Sequence, residues 1–280
     1  MFSIFSMSTY AVTSFFVAVV VFNLVLMIWL GSREHSPRAF AVGIGFIATW
    51  VLSAAFAYSF MSLKATDPSI ITRNLEITAI FIRGCYFFGT LIGIAMFYFS
   101  LTYPNNYKPK LFIRGIFILT GFFVALLYFA KDILSFFGST IIKEQGIIAD
   151  VYINTNGYLS WHFGNSVVFF YFFFFGFWSA ALATVWQKYK NQVDTVLRKQ
   201  TRAMFWAISA GIIPGSILNT MFPAIGIFGF FWVGLIATFG WVGIIAYSIL
   251  KQNQMNVRMV TAELLIVGMI LLMFIGFFAV

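Results

Sequence analysis

The sequence has few charged residues and almost no cysteine or histidine. Charged residues make up 9% of its 280 residues, against about a quarter of a typical soluble domain. Its single cysteine, Cys85, forms no intramolecular disulfide, and its two histidines lie far apart in the chain. There is no Walker-type phosphate loop, no His-Glu-x-x-His pair and no Gly-x-Ser-x-Gly elbow. These absences argue against a soluble fold and predict no catalytic residue, no metal site and no cofactor.

Long apolar segments make up most of the chain. Hydrophobic residues account for 61% of it, and phenylalanine alone occurs 38 times. The apolar stretches are continuous and about 20 residues long, the length that an α-helix needs to cross a bilayer. They lack the alternation of polar and apolar residues that a transmembrane β-strand shows. The sequence therefore predicts an all-α integral membrane bundle of seven transmembrane helices followed by an eighth apolar transmembrane segment.

Short polar loops separate the eight predicted spans. The expected bounds are about 10–30, 40–63, 78–103, 111–130, 161–186, 203–222, 229–250 and 260–280. The longest loop, 131–160, contains Asn156-Gly157 between two short runs of β-forming residues, which predicts a β-hairpin. A tight apolar turn is expected at 223–228, between spans six and seven.

Basic residues are distributed unevenly between the loops. The loops after spans one, three, five and seven carry twelve of the 17 Lys and Arg residues. The loops after spans two, four and six carry four, together with five of the eight acidic residues. Because short loops rich in Lys and Arg stay in the cytoplasm, we predict a multi-pass protein with its N-terminus outside. The positive charge is then explained by the anionic inner leaflet, and no nucleic-acid partner is expected.

Four polar residues are candidates for ligand binding or for coupling between helices. Arg83 is the one charge clearly inside a span; it could snorkel to the outer headgroups or hold an anionic group in an outward-facing cavity. His162 opens span five beside Trp161, at the outer interface where aromatic residues anchor helices. Asn219 lies near the outer end of span six, as an interhelical contact or a ligand contact. Glu263 stands at the inner start of the last span and could pair with a base of the preceding linker.

Small residues spaced four apart predict close helix packing in two spans. They are Gly89 and Gly93 in span three and Ala207, Gly211 and Gly215 in span six. Pro214 can kink span six. The aromatic run Phe169–Phe175 in span five covers every side of a helix, so we expect it to face lipid rather than to hold a cofactor.

A further set of segments is informative through its order along the chain. The segments are 23–36, 38–40 and Trp50; 99–104, which reads Phe-Ser-Leu-Thr-Tyr-Pro; Arg198-Lys199-Gln200; Asn219 with Ile225-Gly226-Ile227; 245–251, which reads Ile-Ala-Tyr-Ser-Ile-Leu-Lys; and 255–258 with 261–264. In order and spacing they resemble the N-terminal seven-helix sensor region of bacterial histidine kinases. The resemblance covers roughly residues 10–265.

The resemblance implies the sensor module of a two-component system in the bacterial cytoplasmic membrane. It divides the chain into a seven-helix sensor region (1–250), a cytoplasmic linker (251–259) and an eighth transmembrane segment (260–280). No phospho-accepting histidine box and no ATP-binding domain follow, so kinase activity is expected in a C-terminal continuation, after at least one more span, or in a partner. The expected partners are the lipid bilayer, a cytoplasmic kinase domain in cis or in trans, and a second copy in a homodimer.

Other functions remain open from the residues alone. A small-molecule transporter or permease is disfavoured because none of the eight acidic residues lies in the middle of a span. A membrane-embedded enzyme is disfavoured because no nucleophile, acid and base cluster in the sequence. A retinal-binding pump is disfavoured because span seven contains no lysine before Lys251. A partner-dependent membrane module stands as a further alternative.

Overall fold

The described residues form a bundle of long helices with one β-hairpin. The computed structural model describes residues 2–62, 68–104, 107–136, 147–154 and 158–228, together with Phe230, Gly234 and Val242. The long helices are α1 (Phe2–Gly31), α2 (His35–Ser62), α3 (Pro68–Thr102), α4 (Leu111–Phe136), α5 (Val167–Asn191) and α6 (Thr195–Ser216). A π-helix (Ile217–Met221) and a short α7 (Phe222–Ala224) continue α6, and strands β1 (Ile148–Ile153) and β2 (Leu159–Phe163) lie between α4 and α5.

Within the described part of the chain, five helical segments are long and apolar enough to cross a bilayer. They are Thr9–Gly31, His35–Met61, Ser69–Thr102, Val167–Asn191 and Thr195–Ala224, and α4 adds the shorter apolar stretch Leu111–Leu126. A helix satisfies its own backbone hydrogen bonds, which is the condition for crossing hydrocarbon. The prediction of an all-α membrane bundle is confirmed at this level. Predicted spans seven and eight, the linker 251–259 and Glu263 lie outside the described residues, apart from Phe230, Gly234 and Val242.

The outer surface of the bundle is apolar, as a lipid-facing surface must be. On α4, Leu111, Phe112 and Ile118 are each more than 70% exposed, and Phe172 on α5 is exposed to a similar extent. Contiguous exposed apolar surface of this kind is rare on monomers that face water. These exposed apolar faces have the composition that a lipid-facing helix surface requires.

Four helices begin earlier than hydropathy predicted, and α1 starts at Phe2 rather than at about residue 10. Helices α2, α3 and α6 start at His35, Pro68 and Thr195, so much of the preceding polar sequence is helical rather than loop. Hydropathy detects only the part of a helix that lies in hydrocarbon, whereas these first turns are polar. Proline fits the first position of a helix, because an N–H there has no partner inside the helix. Pro68 therefore opens α3 without the loss of a hydrogen bond.

The polar start of α6 is held by a side-chain cap. The Asp194 carboxylate accepts hydrogen bonds from the backbone N–H groups of Val196 (2.7 Å) and Leu197 (3.0 Å). These N–H groups have no acceptor inside the helix, and a carboxylate also suits the positive end of the helix dipole. The basic residues after this cap lie in the first turns of α6 and not in a loop.

Helix α3 lies at the centre of the bundle. It packs against α2, α4, α5 and the hairpin strand β1, while α1 packs against α2. Phe99 on α3 meets Phe40 on α2 with ring centroids 5.2 Å apart. Thr90 on α3 and Tyr128 on α4 share a hydrogen bond of 2.6 Å between hydroxyls that are fully buried. Residues of α3 are therefore placed to line any space between these helices.

The predicted β-hairpin is confirmed. Strands β1 and β2 are antiparallel, with Val151 opposite Trp161 and Ile153 opposite Leu159. Trp161 and His162 thus belong to β2, and α5 begins only at Val167, which corrects the prediction that they open span five. Successive side chains of a strand point to opposite faces. This is why Trp161 is buried in the bundle while His162, the next residue, is exposed.

A lysine joins the ends of α3 and α5. The Lys188 ammonium donates hydrogen bonds to the backbone carbonyls of Ser100 (2.8 Å), Leu101 (2.7 Å) and Tyr103 (2.5 Å). The last carbonyls of a helix lack partners inside the helix, and the negative end of its dipole favours a cation. The C-terminal ends of α3 and α5 therefore lie together, and the hairpin that precedes α5 lies toward the other end of the bundle. Which end faces the cytoplasm stays a prediction.

The tight turn expected at 223–228 is also confirmed. Gly226 has a φ of 82°, a left-handed conformation that glycine adopts without strain. The N–H of Ile227 donates to the carbonyl of Phe222 at 2.8 Å, and the N–H of Gly226 donates to that of Pro223 at 3.1 Å. This pair of hydrogen bonds is a Schellman motif, which ends the helix and turns the chain back.

Candidate functional site

A cavity lies between α2, α3, α5, α6 and the π-helix. It has about 590 Å³ of empty volume, part of it open to the surroundings. Its walls are mainly apolar and aromatic, with Trp50 from α2, Phe170 and Trp178 from α5 and Ile212 from α6. No charged side chain is among the described residues that line it. A concave, largely apolar space with a few polar groups is the usual form of a small-molecule site.

Small residues create this space on α6 and α3. Gly211 and Gly215 lie on the cavity wall, and a Cβ built on Gly215 meets no described atom within 4 Å. No described helix closes onto Gly215, so its predicted packing against a neighbouring helix stays a prediction. On α3, Gly89 also lines the cavity, and a Cβ there comes 3.9 Å from the Phe170 ring. Ala207 lies further along α6 and is buried in the apolar core.

Helices α3 and α5 are in close contact at Gly93. A Cβ built on Gly93 would lie 3.4 Å from the Cβ of Phe177 and 3.4 Å from the Trp178 indole. Gly93 is one turn beyond Gly89 on α3, so the same spacing of small residues produces a tight contact at one turn and a cavity wall at the next. The difference is set by the partner helix and not by the glycines.

Helix α6 changes its hydrogen-bonding pattern beside the cavity. Pro214 has no N–H, so the hydrogen bond from this position to the preceding turn is missing. The π-helix Ile217–Met221 follows, and the Ile217 N–H reaches the carbonyls of both Ile213 and Pro214. Single-turn π segments are rare and occur often at functional sites. This one carries Asn219 and Thr220, which both line the cavity.

Asn219 is the most unusual polar group of the cavity. Its side chain is buried, with 7% of the residue exposed, and neither amide atom has a hydrogen-bond partner among the described residues. A buried amide without a partner costs about 1–3 kcal/mol. Gly234 lies directly against this amide, because a Cβ built there would overlap the Asn219 side chain. Gly234 therefore covers both amide atoms, which have almost no exposed surface and no hydrogen-bond partner among the described residues.

Tyr86 connects the cavity to the hairpin. It lines the cavity from α3, and its hydroxyl accepts a hydrogen bond of 3.2 Å from the Trp161 indole N–H. The Tyr86 ring also packs edge-on against Phe170, with centroids 4.9 Å apart. The Trp161 ring also packs against the ring of Phe228, in the segment after α7, with ring centroids 4.7 Å apart. The hairpin therefore contacts the cavity wall through Trp161, and Phe228 packs against the same tryptophan.

The predicted candidate residues do not form one site. Asn219 lines the cavity, but Arg83 does not: it is 5% exposed, and its Nε donates to the Ala79 carbonyl at 3.2 Å. A snorkelling arginine runs along the surface of its helix to the headgroups, whereas the Arg83 side chain is buried. His162 lies outside the cavity on the exposed face of the hairpin, 2.7 Å from the Asp150 carboxylate. Glu263 lies outside the described residues.

Sequence reasoning did not identify Tyr86, Phe170 and Phe174 as residues of the cavity wall. The aromatic run of α5 was expected to face lipid, and Phe169 and Phe172 are exposed as expected. Phe170 and Phe174 instead line the cavity, which corrects that expectation for the opposite face of the same helix. Helical spacing assigns i and i+4 to one face, but it does not show which face meets other helices.

The chain is therefore a membrane-embedded helical protein with an apolar cavity between its helices. Among the described residues, no three His, Cys, Asp or Glu side chains are grouped to hold a metal ion. Comparison of the sequence and fold with protein-family models, with curated proteins and with solved structures finds no match.

Proposed function

We propose that this chain is the membrane-embedded sensor module of a two-component histidine kinase whose catalytic domain is not among these 280 residues. The observation that carries the proposal is the cavity wall formed by the Pro214 break and the π-helix of α6. A molecule in the cavity would contact the one described transmembrane helix with an irregular backbone. In our proposal the same chain continues through span seven and the linker 251–259 toward the kinase domain.

Signalling requires that the stimulus interacts differently with two states of the protein. An irregular turn beside a void is suited to this, because an α-helical turn and a π-helical turn direct the following side chains differently. In our proposal, occupancy of the cavity favours one arrangement and so changes the position of the residues after Met221. The contact of Tyr86 with Trp161 offers a second route, from the hairpin to the same cavity.

A transporter would use a similar cavity, but the described wall supports a sensor better. Coupled transporters bind ions or protons with charged side chains near the bilayer midplane. The described cavity wall has none, and Arg83 is buried elsewhere on α3. An uncharged wall can bind a molecule without coupling its movement to an ion gradient.

The first test concerns the proposed function itself. Inverted membrane vesicles from the source cells, supplied with radiolabelled ATP, should form phosphohistidine that depends on this gene. We expect Gly215→Leu, which fills the cavity, to change the labelling at least threefold. Gly176→Leu is the matched control: Gly176 lies on the exposed side of α5, and its Cβ meets no described atom within 4 Å. Equal labelling with and without the gene would contradict the proposal, as would substrate flux into proteoliposomes without any phosphohistidine.

The second test concerns orientation. We propose seven spans and an eighth, with the N-terminus outside, because the basic loops favour the cytoplasm. Cysteines introduced at Ile153, in the hairpin, and at Lys190, near the end of α5, are both at exposed positions. In intact cells an impermeant maleimide should label Ile153→Cys and not Lys190→Cys, with the pattern reversed in inverted vesicles. The parent protein, whose Cys85 is buried, is the unlabelled control. Labelling of Lys190→Cys from outside would refute the orientation.

A further inference from the structure

We infer that an anionic phospholipid binds along the exposed face of α6, with its phosphate on Lys199 and Arg202 and an acyl chain on Ile213. The inference does not rest on the sensor function, because a lipid-binding surface is compatible with a sensor, a transporter or a structural module. It is also independent of orientation, since only the position of each residue along α6 enters the argument.

Exposed residues follow one face of α6 from its polar start into its apolar part. Residues three or four positions apart lie on the same side of a helix. The exposed residues with this spacing are Lys199, Arg202, Ala203, Trp206, Ala210 and Ile213. Along the helix they change from basic to aromatic to aliphatic. A phospholipid presents the same order, from a charged headgroup through the interface to hydrocarbon chains.

Distances along this face fit one leaflet of a bilayer. By helix rise, Ile213 lies about 16 Å beyond Arg202, and half of the hydrocarbon core is about 15 Å thick. Trp206 is 60% exposed and lies one turn beyond Arg202, at the level where tryptophan is enriched between headgroups and hydrocarbon. A lipid whose phosphate meets Arg202 therefore places its chains beside Ile213.

The bases at the start of this face have no compensating acid. Arg198, Lys199 and Arg202 are exposed, and none of them forms an ion pair with another described residue. The Arg198 guanidinium lies over the Tyr189 ring of α5, 5.2 Å from its centroid. The nearest acid in the sequence, Asp194, accepts the N–H groups of the helix start. Cations three and four residues apart on a helix repel one another, and a bound phosphate relieves that repulsion.

Two other occupants fit this face less well. A second copy in the same membrane would pack about a two-fold axis along the membrane normal, which brings identical residues to the same depth. Lys199 and Arg202 of one copy would then approach the same bases of the other, and like charges repel. An acidic soluble protein would pair with the bases but leave Ile213 uncovered. A phospholipid covers both the charge and the apolar surface.

The experiment traps the molecule that covers Ile213. Benzoylphenylalanine replaces Ile213, and the protein is irradiated in nanodiscs of dioleoylphosphatidylcholine with one-fifth dioleoylphosphatidylglycerol. Both lipids carry the same chains, so the probe reacts equally with either. We expect phosphatidylglycerol adducts, identified by mass spectrometry, to exceed its share of the nanodisc at least about threefold, because clustered bases attract anionic headgroups. The same probe at Phe172, exposed near the start of α5, should report the nanodisc composition.

Two double variants assign the enrichment to the bases of α6. In the protein with the probe at Ile213, Lys199→Gln with Arg202→Gln should return the adducts to the nanodisc composition. Arg33→Gln with Lys110→Gln removes the same charge from exposed positions after α1 and before α4, and it should keep the enrichment. Sodium chloride at about 1 M, which limits charge interactions to roughly 3 Å, should remove the enrichment without any substitution. Each variant is first checked for a single peak in size-exclusion chromatography.

The possible outcomes are distinct. Adducts at Ile213 that match the nanodisc composition would mean contact with bulk lipid only and would overturn the inference. Enrichment that survives Lys199→Gln with Arg202→Gln would overturn the role of these bases. If that variant fails the chromatography check, enrichment that persists at high salt has the same meaning. A cross-link from Ile213 to protein, whether to a second copy, another chain or the same chain, would show a different occupant and refute lipid binding.

Discussion

Trp161→Ala is expected to lower the free energy of unfolding by about 3–5 kcal/mol, which is typical when a large buried aromatic side chain is removed. Trp161 is 2% exposed, donates its indole N–H to Tyr86 and packs against Phe228. Its loss opens a cavity and leaves the Tyr86 hydroxyl without this donor. The midpoint of thermal unfolding in detergent, followed by circular dichroism, should fall by roughly 10 °C.

His162→Ala is the matched control for this prediction. His162 follows Trp161 on β2, but its side chain is 64% exposed and pairs with an equally accessible Asp150. Exposed pairs contribute little to stability, so the midpoint should shift by no more than about 2 °C. Trp161→Phe should fall between the two, since it keeps an aromatic ring and loses the hydrogen bond. Equal midpoints for Trp161→Ala and His162→Ala would show that the hairpin does not anchor to the bundle.

Gly93→Leu is expected to have the second-largest effect, a loss of about 2–3 kcal/mol. In hydrocarbon, helices associate through van der Waals contact rather than through release of water. A substitution that pushes two helices apart therefore removes much of their attraction. A leucine at Gly93 would collide with Phe177 and Trp178, whose atoms already lie 3.4 Å from a built Cβ. Overpacking of this kind forces side chains out of their rotamers or moves the backbone. Thermal precipitation in detergent measures the change.

Two comparisons separate overpacking from a general effect of a larger residue in a helix. Gly93→Ala adds only the Cβ, which would sit in close but tolerable contact, so its loss should stay below about 1 kcal/mol. Gly115→Leu, on α4, places the same side chain where no described atom lies within 4 Å. It should leave the stability unchanged or raise it slightly, because leucine favours a helix more than glycine does. A Gly93→Leu protein as stable as Gly115→Leu would mean that α3 and α5 separate without cost.

The sequence by itself determined that the chain lies in a membrane as a bundle of helices. Continuous apolar stretches of bilayer length leave few alternatives, because every backbone polar group must be paired inside hydrocarbon. Local sequence was also sufficient for two connections: Asn156-Gly157 predicted the hairpin, and the short segment 223–228 was predicted to be a tight turn. Both depend on neighbours in the chain, and the structure confirms both. The helix starts were less predictable, because the polar first turns of α2, α3 and α6 resemble loops in composition.

Only the tertiary structure decided which small and aromatic residues meet and which leave a space. Gly89, Gly93 and Gly215 look alike in the sequence, yet one closes a helix contact while the others line the cavity. Phe170 and Phe172 are two residues apart, and one is buried while the other is exposed. The physical reason is that helical period assigns residues to faces, whereas the orientation of each face depends on packing with distant helices. For the same reason the unpartnered amide of Asn219 and the link from Tyr86 to Trp161 became visible only once the helices were assembled.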